Sequence, residues 1–326
     1  MKKEIFVSLL TTILLTTVSP AEAQQPAKIP KIAWLSAGVA ASDTASPGVL
    51  REIRALGYVQ GKNLTIEFRY ADNKLDRLPA LVDELVHLRV DVLVVNGPPA
   101  ALAAKNATRT IPIVLYNVAD PVVLGLVDSL ARPGGNITGF TTITNVLAGK
   151  RLELLKDTIP KLSRVAVLWN PQNPGNAQQW KESQLPARAL GLQLHSMEVS
   201  SAENFEGAFK EAAKARSAAL AVAQDPVFGA NLKPIADRAI KDHLPAIYPL
   251  GNFVDNGGLM SYGADQAEQT RRVAVLVEKI LNGTKPAEIP VEQPMGFELA
   301  LNLKTAKSLG LTIPPIVLMR ATRVVK

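Results

Sequence analysis

The chain of 326 residues contains no cysteine. That excludes disulfides, thiolate nucleophiles, cysteine zinc sites and iron–sulfur clusters. Histidine is scarce, with only His87, His195 and His243, and none has a Ser or carboxylate arrangement that suggests a catalytic triad. Aromatic residues make up 5% of the chain, so the core must be largely aliphatic. Basic residues exceed acidic ones by seven, but the longest basic runs are pairs such as Lys2-Lys3 and Arg271-Arg272. A nucleic-acid face needs clustering that this sequence lacks. No phosphate-binding G-x-x-x-x-G-K-[ST], no G-x-G-x-x-G after the first strand, no G-x-S-x-G and no H-E-x-x-H occurs. No catalytic residue, no metal ligand and no cofactor is expected.

What is present is a hydrophobic fraction of 47% with 20% charged residues. This suits a globular chain long enough for two domains. The first 23 residues read as an address. Lys2-Lys3 precede an apolar run over 5–18 that is short for a membrane span, and Ala21-Glu22-Ala23 fits a small-residue cleavage pattern. Cleavage after Ala23 and a periplasmic destination are expected.

From Lys31 onward apolar runs and amphipathic stretches alternate. Strands are expected at 31–36, 64–70, 90–95, 111–118 and 137–143, with helices at 46–56, 75–88, 98–108 and 121–130. The rhythm restarts with a helix at 148–158 and strands at 164–169, 192–199, 218–223 and 246–250. The intervening helices are at 176–190, with Pro186 as a kink or break, at 204–216 and at 235–243. A strand at 258–262, a helix at 266–281 and an alternating strand at 297–302 complete the pattern. The fold class is α/β: two Rossmann-like lobes with parallel sheets flanked by helices, and a ligand cleft between them.

Open α/β sheets bind ligands beyond the carboxyl ends of their strands. Polar residues gather there at or near proline: Asn96-Gly97-Pro98, Asp120-Pro121, Asn170-Pro171, Asp225-Pro226 and Tyr248-Pro249. Each of the first four is also a good helix start, because Asp or Asn caps and Pro suits the first turn. Helix capping and ligand contact are both open for them. Ser36, Thr141, Thr142 and Tyr262 complete the candidate binding residues, and Tyr116 and Trp169 offer further aromatic faces near strand ends. Helix N-termini behind these loops suit an anion.

Several stretches carry a family resemblance. They are LGYVQGKNLTIEFRYADNKLDRLPALVDELV (56–86), DPVVLGLVDSLARPGGNITGF (120–140), GKRLELLKDTIPKLSRVAVLWNPQNPGN (149–176), LPAIYPLGNFVDNGGLMSYG (244–263) and ILNGTKPAEIPVEQPMGFELALNLKTAKSLGLTIP (280–314). Together they resemble the substrate-binding proteins of ABC transporters, in the family that includes the tryptophan/tyrosine-type binding proteins. The resemblance runs from about Lys31 to near the C-terminus. It implies a type I periplasmic-binding fold with three crossings between lobes. By that analogy residues 31–142 and 257–290 form lobe 1, and residues 143–256 and 291–326 form lobe 2.

The family's Asp-Pro after the fourth strand matches Asp120-Pro121. Its Asn-Pro and Asp-Pro in the second lobe match Asn170-Pro171 and Asp225-Pro226. Many relatives carry S/T-x-T-P after the third strand, where this chain has Asn96-Gly97-Pro98-Pro99. The implied function is capture of a small solute by lobe closure and delivery to an ABC permease in the inner membrane, by a monomer that is not an enzyme. The implied ligand is a small molecule such as an amino acid or aromatic carboxylate. The same fold can instead present its ligand to a membrane sensor kinase or chemoreceptor.

Overall fold

The computed structural model describes residues 28–326. The expected cleavage site after Ala23 lies outside the described residues. In chain order the first elements are β1 (Lys31–Ser36), α1 (Ala45–Ala55), β2 (Thr65–Tyr70), α2 (Leu78–His87), β3 (Val92–Asn96), α3 (Pro98–Ala107), β4 (Ile113–Val118) and β5 (Ile137–Thr141). They form a parallel five-stranded sheet in the order β2-β1-β3-β4-β5. The inner strands β1, β3 and β4 are largely apolar runs because both faces are covered, whereas the edge strand β2 (TIEFRY) alternates and is half-buried. Leu78, Leu81, Val82 and Leu85 put one stripe of α2 into the core beside Ala33, Leu35 and Val95.

The second group is α4 (Thr144–Thr158), β6 (Arg164–Trp169), α5 (Pro174–Ala189), β7 (Gln193–Glu198), α6 (Phe205–Lys214), β8 (Ala219–Val222), α7 (Pro226–Gly229), α8 (Leu232–Lys241), β9 (Ala246–Tyr248), α9 (Asn252–Asp255) and β10 (Met260–Ala264). The chain then forms α10 (Gln266–Leu281), β11 (Phe297–Asn302), α11 (Leu303–Ser308), α12 (Pro315–Arg320) and β12 (Arg323–Val325). The second sheet has seven strands in the order β12-β11-β10-β9-β8-β6-β7, parallel except where β11 runs against β10. Helix α5 continues through Pro186 rather than breaking there.

Helix α10 returns to lobe 1. Its Val273, Ala274, Leu276 and Val277 pack with Trp34, Val49, Val94 and Tyr116, closing the face of the first sheet that α1 partly covers.

Two expectations are corrected. The stretch 121–130 is turn, not helix. Leu124 N–H donates to Asp120 O and Leu126 N–H to Pro121 O, but Gly125 takes φ +66° and the helical path stops after one turn. Leu126 and Val127 still reach the core, which explains the apolar spacing. The return to lobe 1 also lies later than Gly257. β10 pairs with β9 and β11 in the second sheet, so the chain crosses back between Ala264 and Gln266. The pattern at 258–262 is the same for a strand on either side of a crossing; pairing partners decide its sheet.

Candidate functional site

Three short segments join the lobes. The first follows β5, where Thr142 N–H donates to Val118 O and Ile143 takes φ +46° before α4 begins. A β-branched residue in the left-handed region is strained by about 1–3 kcal/mol. The second is Asp265, which accepts from Ala267 and Glu268 N–H and so starts α10. The third runs from Glu292 to Phe297. Glu292 N–H donates to Gly139 O, Thr141 N–H donates to Glu292 O, and Arg272 holds the Glu292 carboxylate in a two-pronged ion pair at 2.5 and 2.6 Å. That pairing holds the Arg272 guanidinium above its ordinary value.

Between the lobes lies a cavity of about 100 Å³. Lobe 1 lines it with Ser36, Ser42, Asp43, Thr44, Asn96 and Asn117. Lobe 2 contributes Asn173, Gln224, Asp225, Leu250 and Asn252, with Pro98 and Pro226 at helix starts on opposite sides. The lobes touch beside it. A Cβ built on Gly175 of α5 would lie 2.8 Å from Pro98 Cγ, and one on Gly38 would lie 3.4 Å from Pro226 Cβ. Each lobe thus presents a helix-starting proline to a glycine of the other.

The cavity is rich in hydrogen-bond acceptors. Asp43 and Asp225 are the ionisable side chains that line it, among the described residues. Asp43 Oδ1 accepts from Ala45 and Ser46 N–H, capping α1, while its Oδ2 accepts from Tyr70 Oη at 2.8 Å. Burial first, and then the Asp43 carboxylate, hold the Tyr70 phenol up at about 12. Asp225 is buried. Its Oδ1 accepts from Val227 N–H at 2.9 Å and Asn170 Nδ2 at 3.3 Å, and its Oδ2 from Asn173 Nδ2 at 2.9 Å. Burial nevertheless pushes its carboxyl above the ordinary value, because the charged form loses water. Asn117 has φ +54° and donates through Nδ2 to Asn96 Oδ1 at 3.1 Å. Asn117 Oδ1 in lobe 1 and Asn252 Oδ1 in lobe 2 are buried without a partner.

The helix N-termini contribute less to an anion than the sequence suggests. The first free N–H groups of α1, α5, α7 and α10 are already bound by Asp43, Asn173, Asp225 and Asp265. Helix α3 opens with Pro98-Pro99, so its donors begin at Ala100.

The expected residues separate into three groups. Ser36, Asn96 and Asp225 line the cavity, and Asn170 lines a smaller hollow between the lobes beside Asp225. Ser36 Oγ also accepts from Gly38 N–H at 3.1 Å. Asp120, Thr141, Thr142 and Tyr262 lie at the crossings. Asp120, at φ +47°, accepts from Asn145 Nδ2 of the other lobe at 2.7 Å. The hydroxyls of Thr141 and Thr142 are buried without a partner, and Tyr262 stands beside Phe297.

Tyr248 stands apart as a correction. It is fully buried in the lobe 2 core, stacked on Phe253 at 4.4 Å, because the pleat of β9 turns it away from the cleft. Tyr116 and Trp169 are likewise core residues, packed on Trp34 and Trp180. No aromatic ring lines the cavity among the described residues. Sequence reasoning missed Asp43, Asn117 and Asn252. Asp43 carried a usable signal, a capping-type residue just before a helical stretch.

Residues 38–325 match the family described as ABC transporter substrate binding protein. A tyrosine-binding protein of Clostridioides difficile (strain R20291) is 27% identical over 269 residues, which are 82% of this chain and 77% of that protein. The crystal structure of a conserved domain protein from Vibrio cholerae superposes with a TM-score of 0.86 at 28% identity, covering 91% of this chain and 100% of that one. An ABC domain in complex with L-Trp from Streptococcus pneumonia superposes with a TM-score of 0.83 at 24% identity, covering 91% of this chain and 99% of that one.

Proposed function

Since the chain belongs to the ABC transporter substrate-binding protein family, we propose that it captures an amino acid between its lobes and delivers it to an ABC permease in the inner membrane. It acts outside the cytoplasm, in the periplasm, as a monomer whose own role is binding rather than catalysis. The observation that carries the ligand class is the make-up of the cavity. It has two carboxylates and two unpartnered amide oxygens, one of these from each lobe, and no lining cation among the described residues. Such a site favours a solute that brings donors, above all an ammonium group. The ligand carboxylate falls to neutral donors: the Thr44 hydroxyl and the lining side-chain amides of Asn96, Gln224 and Asn252. The tyrosine-binding relative supports an amino acid, and the structure solved with L-Trp belongs to a protein of the same fold.

The ligand bridges the lobes. Its contacts exist together only when the lobes meet, so binding shifts the population toward closure. Calorimetry and thermal shift with L-tyrosine, L-tryptophan, other amino acids, aromatic acids and sugars test this reading. Amino acids are expected to stabilise the protein. Stabilisation by sugars alone, or by aromatic acids lacking an ammonium group as strongly as by amino acids, overturns the ligand class.

A further inference from the structure

Arg151 is buried to 2% exposure in the middle of α4. Among the described residues no carboxylate pairs with it. Burial lowers its guanidinium to about 9, well under the ordinary value. Burying an uncompensated cation is costly, and an apolar side chain of similar volume is often at least as stable in such a position. The residue's bonds show what it does there. Nε donates to Tyr262 O at 2.8 Å, Nη2 to Thr144 Oγ1 at 2.8 Å, and Nη1 to Thr144 O at 3.3 Å.

These two partners are far apart in sequence and share one role. Thr144 opens α4, one residue after the strained Ile143 of the first crossing. Tyr262 lies in β10, just before the second crossing at Asp265. One rigid guanidinium therefore pins the lobe 2 ends of both crossings to each other. The neighbour of Thr144, Asn145, holds Asp120 of lobe 1 at 2.7 Å, which continues the chain of contacts across the crossing.

We infer that Arg151 is a positioning residue for lobe closure: by fixing the first and second crossings against one another, it makes them bend as one hinge. It does not touch the cavity. It sets the geometry in which Asp43, Asn96 and Asn117 of one lobe meet Asn173, Asp225 and Asn252 of the other. Lysine does not replace it, because an ammonium is a single point and lacks the planar fork that reaches two backbone segments at once. This inference rests on the proposed closure around a solute.

The test uses the full mature chain with R151M, T144V and T144S. Because the chain has no cysteine, K62C and K304C, one exposed site in each lobe, accept a spin-label pair for interlobe distances in the free protein. Amide exchange at 142–146 and 262–266 is read beside calorimetry with L-tyrosine. R151M is expected to broaden the distance distribution, to speed exchange at those two segments alone, and to weaken L-tyrosine binding about 10-fold. T144V is expected to show the same changes in smaller degree, and T144S, which keeps the hydroxyl, to match the wild type.

An unchanged distance distribution in R151M, or exchange that quickens evenly through lobe 2, overturns the inference and leaves Arg151 a plain structural residue. Where R151M does not fold, the T144V and T144S pair decides: a T144V distribution equal to that of T144S overturns it. A wild type that binds no L-tyrosine refutes that choice of ligand, while distances and exchange still decide the role of Arg151.

Discussion

Gly175 is the position where one added carbon separates closure from folding. It occupies the first turn of α5, where its backbone is helical and needs no glycine. Its Cβ in Gly175→Ala would lie 2.8 Å from Pro98 Cγ across the cleft, and 3.3 Å from Asn173 Oδ1 within its own lobe. Carbon atoms rest at about 3.5–4.0 Å, so the lobes must part by roughly 1 Å at this point. Pro98 cannot swing aside, because its ring is fixed to the backbone at the start of α3.

Overpacking of this kind costs about 1–3 kcal/mol, or roughly 5–150-fold in affinity. Parting by about 1 Å also exceeds the range over which a hydrogen bond to the far lobe keeps its strength. The free protein bears none of this when its lobes are apart, and alanine suits a helix better than glycine by up to about 1 kcal/mol. Gly175→Ala is therefore expected to leave the Tm of the free protein unchanged or slightly raised, while calorimetry with L-tyrosine shows the affinity loss. Pro98→Ala in the same chain removes Cγ and is expected to recover most of the binding. Wild-type affinity in Gly175→Ala, or no recovery in the double variant, refutes the claim that this contact belongs to the bound state.

Tyr248→Phe removes a buried hydroxyl that has no partner, and is expected to stabilise the protein by about 1 kcal/mol in denaturant unfolding with ligand affinity unchanged; a loss of affinity would return Tyr248 to the site. Phe140→Ala empties a fully buried position beside the first crossing and is expected to cost about 3–5 kcal/mol in the same assay. Burial raises the Asp225 carboxyl in the folded state, so the folded protein binds that proton more tightly than the unfolded chain. The resulting stability is complete below the ordinary aspartate value of 3.8 and is lost as pH rises through the folded value. Asp225→Asn is expected to remove that slope from stability-versus-pH curves, and an unaltered slope refutes it.

The lobes were legible because parallel strands buried on both faces must be apolar throughout, and runs such as VAVLW or VLVV have no other use. The turn at 121–130 was not. Val122, Val123, Leu126 and Val127 have helical spacing, but two of them are exposed and Gly125 turns the chain. For the site, strand ends pointed to the right region and could not give direction. Asn96 and Tyr248 both close a strand; one faces the cavity, the other stacks on Phe253. The pleat that decides between them depends on register, which no local pattern carries. Asn117 and Asn252 have no sequence signature, since an amide oxygen becomes distinctive only when the fold leaves it unpartnered.

The late return of α10 to lobe 1 has a consequence for biogenesis. Trp34, Val94, Tyr116 and Phe140 lie on a sheet completed by Thr141, yet Val273, Leu276 and Val277 that cover them arrive more than 130 residues later. A chain emerging N-terminus first holds this face of lobe 1 covered by α1 alone until the strands β6 to β10 of lobe 2 have appeared. Such long-range closure slows folding and leaves the intermediate prone to aggregation. Lobe 1 is begun first yet waits for α10, and lobe 2 closes only with β11 and β12, so truncation before Leu281 leaves the apolar face of lobe 1 uncovered and the edge of the lobe 2 sheet missing.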